Sequence, residues 1–294
     1  MKKIIVLTAA LATTLLFSCE KDPQVKSLTE EEQAIIMDDA VADNVIEATD
    51  YEVDYYSSSS DIIAGINDGG KKSSRWPRLR YLNGEGPAVT VDPIGGFYPK
   101  TITIDYGDGI ELINGTIIIG RIIVNVSARP LTDGATREVT YENFYVDSVN
   151  IEGGATRTFV GTDSTQRVFS NVSDLTLTFP DSTILYRKSE RMRTLAEGFE
   201  TPFYHGDDLI LIEGFVNYEF LNGRAFSKTI TEPLIKTGAC RFITQGTASF
   251  TLNGEQFAEL DYGDGSCDDV ATITKDGETR QITIGRRLKR FWGR

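Results

Sequence analysis

The chain has 294 residues, with 43 Asp and Glu against 30 Lys and Arg, a formal charge of −13, and a single histidine. An acidic balance of this size argues against a nucleic-acid partner, which needs a basic face, and favours a well-solvated surface. One histidine and no GxSxG elbow leave little room for a Ser-His-Asp or Cys-His mechanism, which would have to pass through His205.

In chain order, Met1-Lys2-Lys3 is followed by an apolar run from Ile4 to Phe17 and then by Leu16-Phe17-Ser18-Cys19. A basic start, a short apolar core and a small residue before cysteine predict a lipoprotein signal peptide over 1–18, with Cys19 lipidated as the first mature residue. The rival reading, a transmembrane helix, needs about 20 apolar residues. This run is shorter, and Glu20-Lys21-Asp22 closes it with charges. The expected partner is therefore a membrane, reached through acyl chains at the N-terminus. Loss of Lys2 and Lys3 with the signal makes the balance more acidic still.

Residues 19–27 read as a polar tether. Thr29-Glu30-Glu31-Glu32 has the form of a capping box, with acids in a first turn that the helix dipole favours. Ala34, Met37, Val41, Val45 and Ala48 recur at helical spacing, so a helix is expected over 28–49, packed on one face or end of a sheet. Residues 50–86 are rich in Ser and Gly, including Ser57-Ser58-Ser59-Ser60 and Asp68-Gly69-Gly70, and read as a flexible linker. Trp76 and Tyr81 are its candidates for contact with the main domain.

From 87 to 285 the pattern is β. Segments 101–105, 122–127, 138–141, 174–179 and 280–284 alternate apolar and polar residues. Turn signals at 133–134, 153–154, 180–181, 222–223, 253–254 and 276–277 separate the runs, and the last three are predicted hairpin tips. With no helical pattern between them, the expectation is an all-β antiparallel meander, forming a sandwich or a strongly curved sheet, with one N-terminal helix. His205, in Tyr204-His205-Gly206-Asp207-Asp208, reads as part of a polar turn before the strand that opens at Leu209.

Three cysteines remain to be placed. Lipid on Cys19 leaves an even pair in an oxidising compartment, which predicts a Cys240–Cys267 disulfide. No CxxC or Cys/His spacing suggests zinc, and no cofactor is indicated. Asp105-Tyr106-Gly107-Asp108-Gly109 recurs as Asp261-Tyr262-Gly263-Asp264-Gly265. Asp and Gly at these positions suit sharp turns. The functional alternative is calcium at Asp261, Asp264, Asp268 and Asp269, although the oxygen spacing of an EF-hand is absent.

An ordered series of segments resembles a family of uncharacterised lipoproteins from Bacteroidota. It comprises Ser189-Glu190-Arg191-Met192-Arg193-Thr194, Leu211-Ile212-Glu213-Gly214, Thr231-Glu232-Pro233-Leu234, the stretch from Cys240 to Thr247, and the stretch from Leu260 to Asp268. Tyr98 to Gly107, Gly120 to Val124 and Glu142 to Val146 agree in the first half. The resemblance implies a secreted β domain at the outer membrane, on either its periplasmic or its surface face, and supports the Cys240–Cys267 pairing. It carries no enzymatic role. The basic, aromatic tail over 286–294 departs from it, and a frayed terminus is the simplest reading of that tail.

Three functions follow as expectations. The first is a non-catalytic envelope lipoprotein with a structural or binding role. The second is a module that binds glycan, peptide or lipid for an outer-membrane uptake system, for which exposed aromatics among Tyr141, Phe144, Tyr145, Tyr204, Phe215, Tyr218 and Phe220 would count. The third and least favoured is a hydrolase, such as a glycosidase, built on a carboxylate pair.

Overall fold

The computed structural model describes residues 28–68, 86–162, 166–201 and 204–284, with the side chains of 61–68 and 162 left aside. The signal peptide, Cys19, the tether, the 69–85 part of the expected linker with Trp76 and Tyr81, and the basic tail lie outside the described residues.

A helix, α1 (Glu30–Asp68), precedes fourteen strands. They are β1 (Ala88–Asp92), β2 (Lys100–Asp105), β3 (Ile110–Glu111), β4 (Ile117–Val126), β5 (Thr136–Val146), β6 (Val149–Thr162) and β7 (Arg167–Thr178), then β8 (Ile184–Glu197), β9 (Leu209–Phe220), β10 (Ala225–Thr237), β11 (Ile243–Leu252), β12 (Glu255–Asp264), β13 (Val270–Lys275) and β14 (Glu278–Thr283). All belong to one antiparallel sheet in chain order, except that short β3 pairs with β4 beside the path and β2 pairs with β4 directly. The expected meander is therefore a single curved sheet, and it is not closed.

Local chemistry sets the turns. Asn253-Gly254 and Asp276-Gly277 each place two residues at positive φ and join β11 to β12 and β13 to β14. That is the backbone a tight hairpin needs. Asn222-Gly223 joins β9 to β10. Gly153-Gly154, read from sequence as a turn, instead lies inside β6, where Gly153 pairs with Leu175 and Gly154 with Asp174 of β7. The close approach there explains the glycine: a Cβ on Gly153 would sit 2.3 Å from the Asp174 carbonyl.

Curvature follows from the helix. Its side chains reach β13 at Lys275, β10 at Lys228, β8 at Arg193, β6 at Arg157 and β5 at Arg137. A helix is only about 10–12 Å across, so one sheet meets it from so many strands only by bending round it. Two bulges mark the bend. At Gly120 (φ +84) the β4–β5 register shifts, and at Gly246 (φ +104) the β10–β11 register shifts. Cβ atoms there would lie 2.0 Å and 2.4 Å from backbone oxygens of Asn143 and Pro233. Bulges and glycine kinks are how a sheet acquires local twist.

The capping box forms as expected. Thr29 Oγ1 accepts the Glu32 amide at 3.1 Å, and Glu32 Oε2 accepts the Thr29 amide at 2.8 Å. The helix boundary expected at 49 is corrected: α1 runs on to Asp68 through the serine run. Ser59 donates to the Tyr55 carbonyl at 2.7 Å and Ser60 to the Ser57 carbonyl at 3.0 Å, so the hydroxyls are satisfied within the helix. Tyr55, Tyr56, Ser59 and Ser60 are buried, and tertiary packing outweighs a loop-like composition. No described helix is long and apolar enough to cross a membrane.

Candidate functional site: a charged helix beneath an apolar cavity

Most of α1 is buried, yet its buried face is acidic. Asp39, Asp43, Glu47, Asp50 and Asp54 follow one another at helical spacing on one side. The facing strands supply cations at inward positions. On β8, alternation buries Leu185, Arg187, Ser189, Arg191 and Arg193. Lys228 on β10 and Arg187 are fully enclosed, at 0% and 1% exposure.

The pairing is ordered along the helix. Lys228 Nζ donates to Asp39 at 2.7 Å and also to Asp43, while Tyr218 OH donates to the other Asp39 oxygen at 2.8 Å. Arg191 donates to Asp43 at 2.7 Å. Arg193 clamps both Glu47 oxygens, at 2.7 and 2.9 Å. Arg157 reaches Asp50 at 3.4 Å and also Asp54, and Arg137 donates to the same Asp54 oxygen at 2.5 Å. The partners thus shift from β10 through β8 to β6 and β5 as the helix crosses the strands.

Burial alone would raise every one of these carboxyl groups. Arg191, then Lys228 and Arg187, outweigh it at Asp43 and hold that group well below the usual range. Arg193, with help from Arg191, does the same for Glu47, and Arg157 and Arg137 for Asp54. Asp39 moves the other way. Burial raises it, its one cation Lys228 does not compensate, and the charge on Asp43 raises it further. Burial also pushes Lys236 down, to about 8, against the pull of Glu47. Its ammonium donates to the Thr237 carbonyl at 3.0 Å and to the Cys240 carbonyl.

Beyond Glu47 the ion pairs adjoin a cavity of about 460 Å³. Val126, Leu131, Phe159, Phe169, Leu195 and Ile210 give it apolar walls. Phe159 and Phe169 lie 5.5 Å apart, centroid to centroid, on neighbouring strands. Leu131 and Pro130, exposed in the β4–β5 loop, lie at its rim. The inner polar end is made by the helix turn at Asp54 and Ser57, with Arg137, Arg157 and His205. Three buried polar atoms there have no protein partner: Ser57 Oγ, Arg137 Nε and His205 Nε2. His205 Nδ1 lies 2.7 Å from Asp208 Oδ2, and its ring meets Tyr51 edge-on at 5.8 Å.

The sequence-based candidates sit elsewhere. Cys240 and Cys267 are joined as expected and tie the loop after β10 to the loop after β12. Both Asp-Tyr-Gly-Asp-Gly copies are turns with the same internal bond: Asp105 accepts the Gly107 amide at 2.9 Å, and Asp261 accepts the Gly263 amide at 2.9 Å. Both tyrosines point inward. Tyr106 donates to Glu52 at 2.7 Å, and Tyr262 lies 3.4 Å from Lys228 Nζ. Of the calcium candidates, Asp264 and Asp268 likewise accept amides of their own turns, from Ser266 and Val270. No three metal-ligating side chains converge among the described residues. His205 sits in a short 3₁₀ turn just before β9, as the polar-turn reading expects.

The aromatics divide. Phe144 and Tyr218 are buried, whereas Tyr204 is 65% exposed, and Tyr145 and Phe215 are partly so. The buried acidic stripe and the cavity escape a sequence reading based on apolar spacing. The acidic period on a predicted helix, set against Arg187, Arg191 and Arg193 on a strand, was the available signal.

Comparison with models of known protein families, with curated proteins and with solved structures gives no match.

Proposed function

We propose that the chain is a lipid-anchored envelope protein that binds a small, largely apolar molecule without transforming it. The observation that carries this reading is the cavity of about 460 Å³, which falls in the size range of small-molecule sites and has the usual apolar lining with a few convergent polar groups. Among glycan, peptide and lipid ligands, that lining favours lipid. The anchor rests on the sequence before Cys19, and the outer-membrane address on the resemblance given above. The carboxylate-pair hydrolase has no comparable support. Asp39 and Asp43 are buried together, but Lys228 lies between them and neither lines the cavity.

Two measurements test the proposal. Labelled palmitate should enter the wild-type protein and not a Cys19→Ser variant. Nile red, a neutral apolar dye, should bind with 1:1 saturable fluorescence that Ala135→Phe abolishes by filling the cavity. A folded protein that shows no saturable dye binding contradicts the binding role.

A further inference from the structure

The cavity's two ends differ in chemistry, and this sets a requirement on its ligand. Asp54 Oδ1 is shared by two guanidinium groups, those of Arg137 and Arg157. Arg167, further round the wall, spends a donor on the Phe199 carbonyl at 2.8 Å and has no carboxylate partner among the described residues. Cations therefore outnumber anions at the inner end. The three unpartnered atoms cluster on the same helical turn. Ser57 follows Asp54 by three residues, Arg137 is bonded to Asp54, and His205 packs on Tyr51 and Tyr55. A buried polar group without a partner is costly, and three facing one cavity call for a ligand that supplies the missing bonds. Ser57 Oγ and Arg137 Nε both carry a hydrogen to donate.

We infer that the ligand is an amphiphile with one anionic oxygen head group, carboxylate or phosphate, lodged at Ser57, Arg137 and His205, and an alkyl tail held between Phe159, Phe169 and Leu195. This rests on the binding role proposed above. Water takes about 30 Å³ each in the liquid, and a methylene is of similar size, so the space suits a molecule of about fifteen non-hydrogen atoms. Arginine fits the head because its planar fork matches carboxylate and phosphate geometry. The tail needs only the apolar walls. Ion pairs with Asp54 hold Arg137 and Arg157 in place before the ligand arrives, so little side-chain ordering remains to be done on binding.

The test is calorimetric titration of the full chain carrying Cys19→Ser, purified without detergent so that no acyl group of its own competes. The probes are dodecanoate, dodecyl phosphate, dodecan-1-ol and dodecyltrimethylammonium. The expected result is 1:1 binding of dodecanoate or dodecyl phosphate, at least tenfold tighter than dodecanol, with the ammonium weakest. The tighter of the two anions identifies the head group. Arg137→Gln should weaken the anion at least tenfold and leave dodecanol unchanged. Ser57→Ala removes no bond within the protein and should weaken the anion severalfold. If Arg137→Gln does not fold, Ser57→Ala decides alone, and an unchanged anion affinity overturns the head-group placement. Dodecanol or the ammonium binding as tightly as the anions overturns the anionic requirement while the binding role stands. Failure of all four probes with folded protein overturns both.

Discussion

Lys228 is the residue on which the buried network turns, since its ammonium alone neutralises Asp39 and joins Asp43 to the sheet. Replacing a buried ion pair wholesale can be neutral, but removing one partner strands a charge. Lys228→Met should therefore cost about 3–5 kcal/mol, read as a drop in the urea midpoint, and a combined Lys228→Met, Asp39→Asn variant should recover part of it. Lys236 makes a different prediction, about pH. Its folded pKa, about 8, lies below the unfolded value of about 10.4. Between these values the unfolded chain binds more protons, so stability rises with pH. The gain should reach about 2 kcal/mol by pH 9.5, before the buried tyrosines, whose pKa values burial raises, begin to oppose it. Lys236→Met should flatten the profile from pH 7.5 to 9.5, and an equal slope in the variant contradicts the assignment. On the acid side the sign reverses. Asp43, Glu47 and Asp54 have depressed folded values, so the stability they confer is present above about pH 4 and is lost as pH falls through those values.

At the scale of the element, the helix start depends on a local signal and its length does not. Thr29→Ala removes the cap on the Glu32 amide and should destabilise by about 1 kcal/mol, seen as a small shift in thermal midpoint. The capping box was legible because it lies within four residues. The run from Asp50 to Asp68 was not, because its serines favour loops in isolation and only burial of Tyr55, Tyr56, Ser59 and Ser60 against the sheet keeps them helical. Hairpins at 222–223, 253–254 and 276–277 were legible for the same local reason as the cap. Gly153-Gly154 was misread because glycine serves both turns and close strand approaches, and sequence does not separate the two. Gly120 is the clearest case of the second use. Gly120→Ala would press a Cβ onto the Asn143 carbonyl at positive φ and should cost about 1–3 kcal/mol, where an exposed loop glycine such as Gly134 should tolerate change better.

Over the whole molecule, a meander of local hairpins bends round one helix, and the disulfide fastens two loops near its C-terminal edge. The closed loop has a sequence separation of 27, which predicts roughly 3–4 kcal/mol of stabilisation on the chain-entropy model. Urea titrations with and without reductant should differ by that amount, and Cys240→Ser with Cys267→Ser should be insensitive to reductant. Cysteine arithmetic found this pair, and alternation found the all-β class. The cavity stayed hidden because it depends on the register of non-adjacent strands: β5 brings Arg137, β6 brings Phe159 and β8 brings Leu195 to one place along the helix. The central claim is that this enclosed space carries a ligand on a protein anchored by lipid. Native mass spectrometry of protein recovered from its own membranes tests it most directly. The account predicts a covalent acyl mass together with one small noncovalent adduct, the adduct absent from Ala135→Phe. A chain with neither acyl mass nor adduct, or an adduct that survives Ala135→Phe, would contradict it.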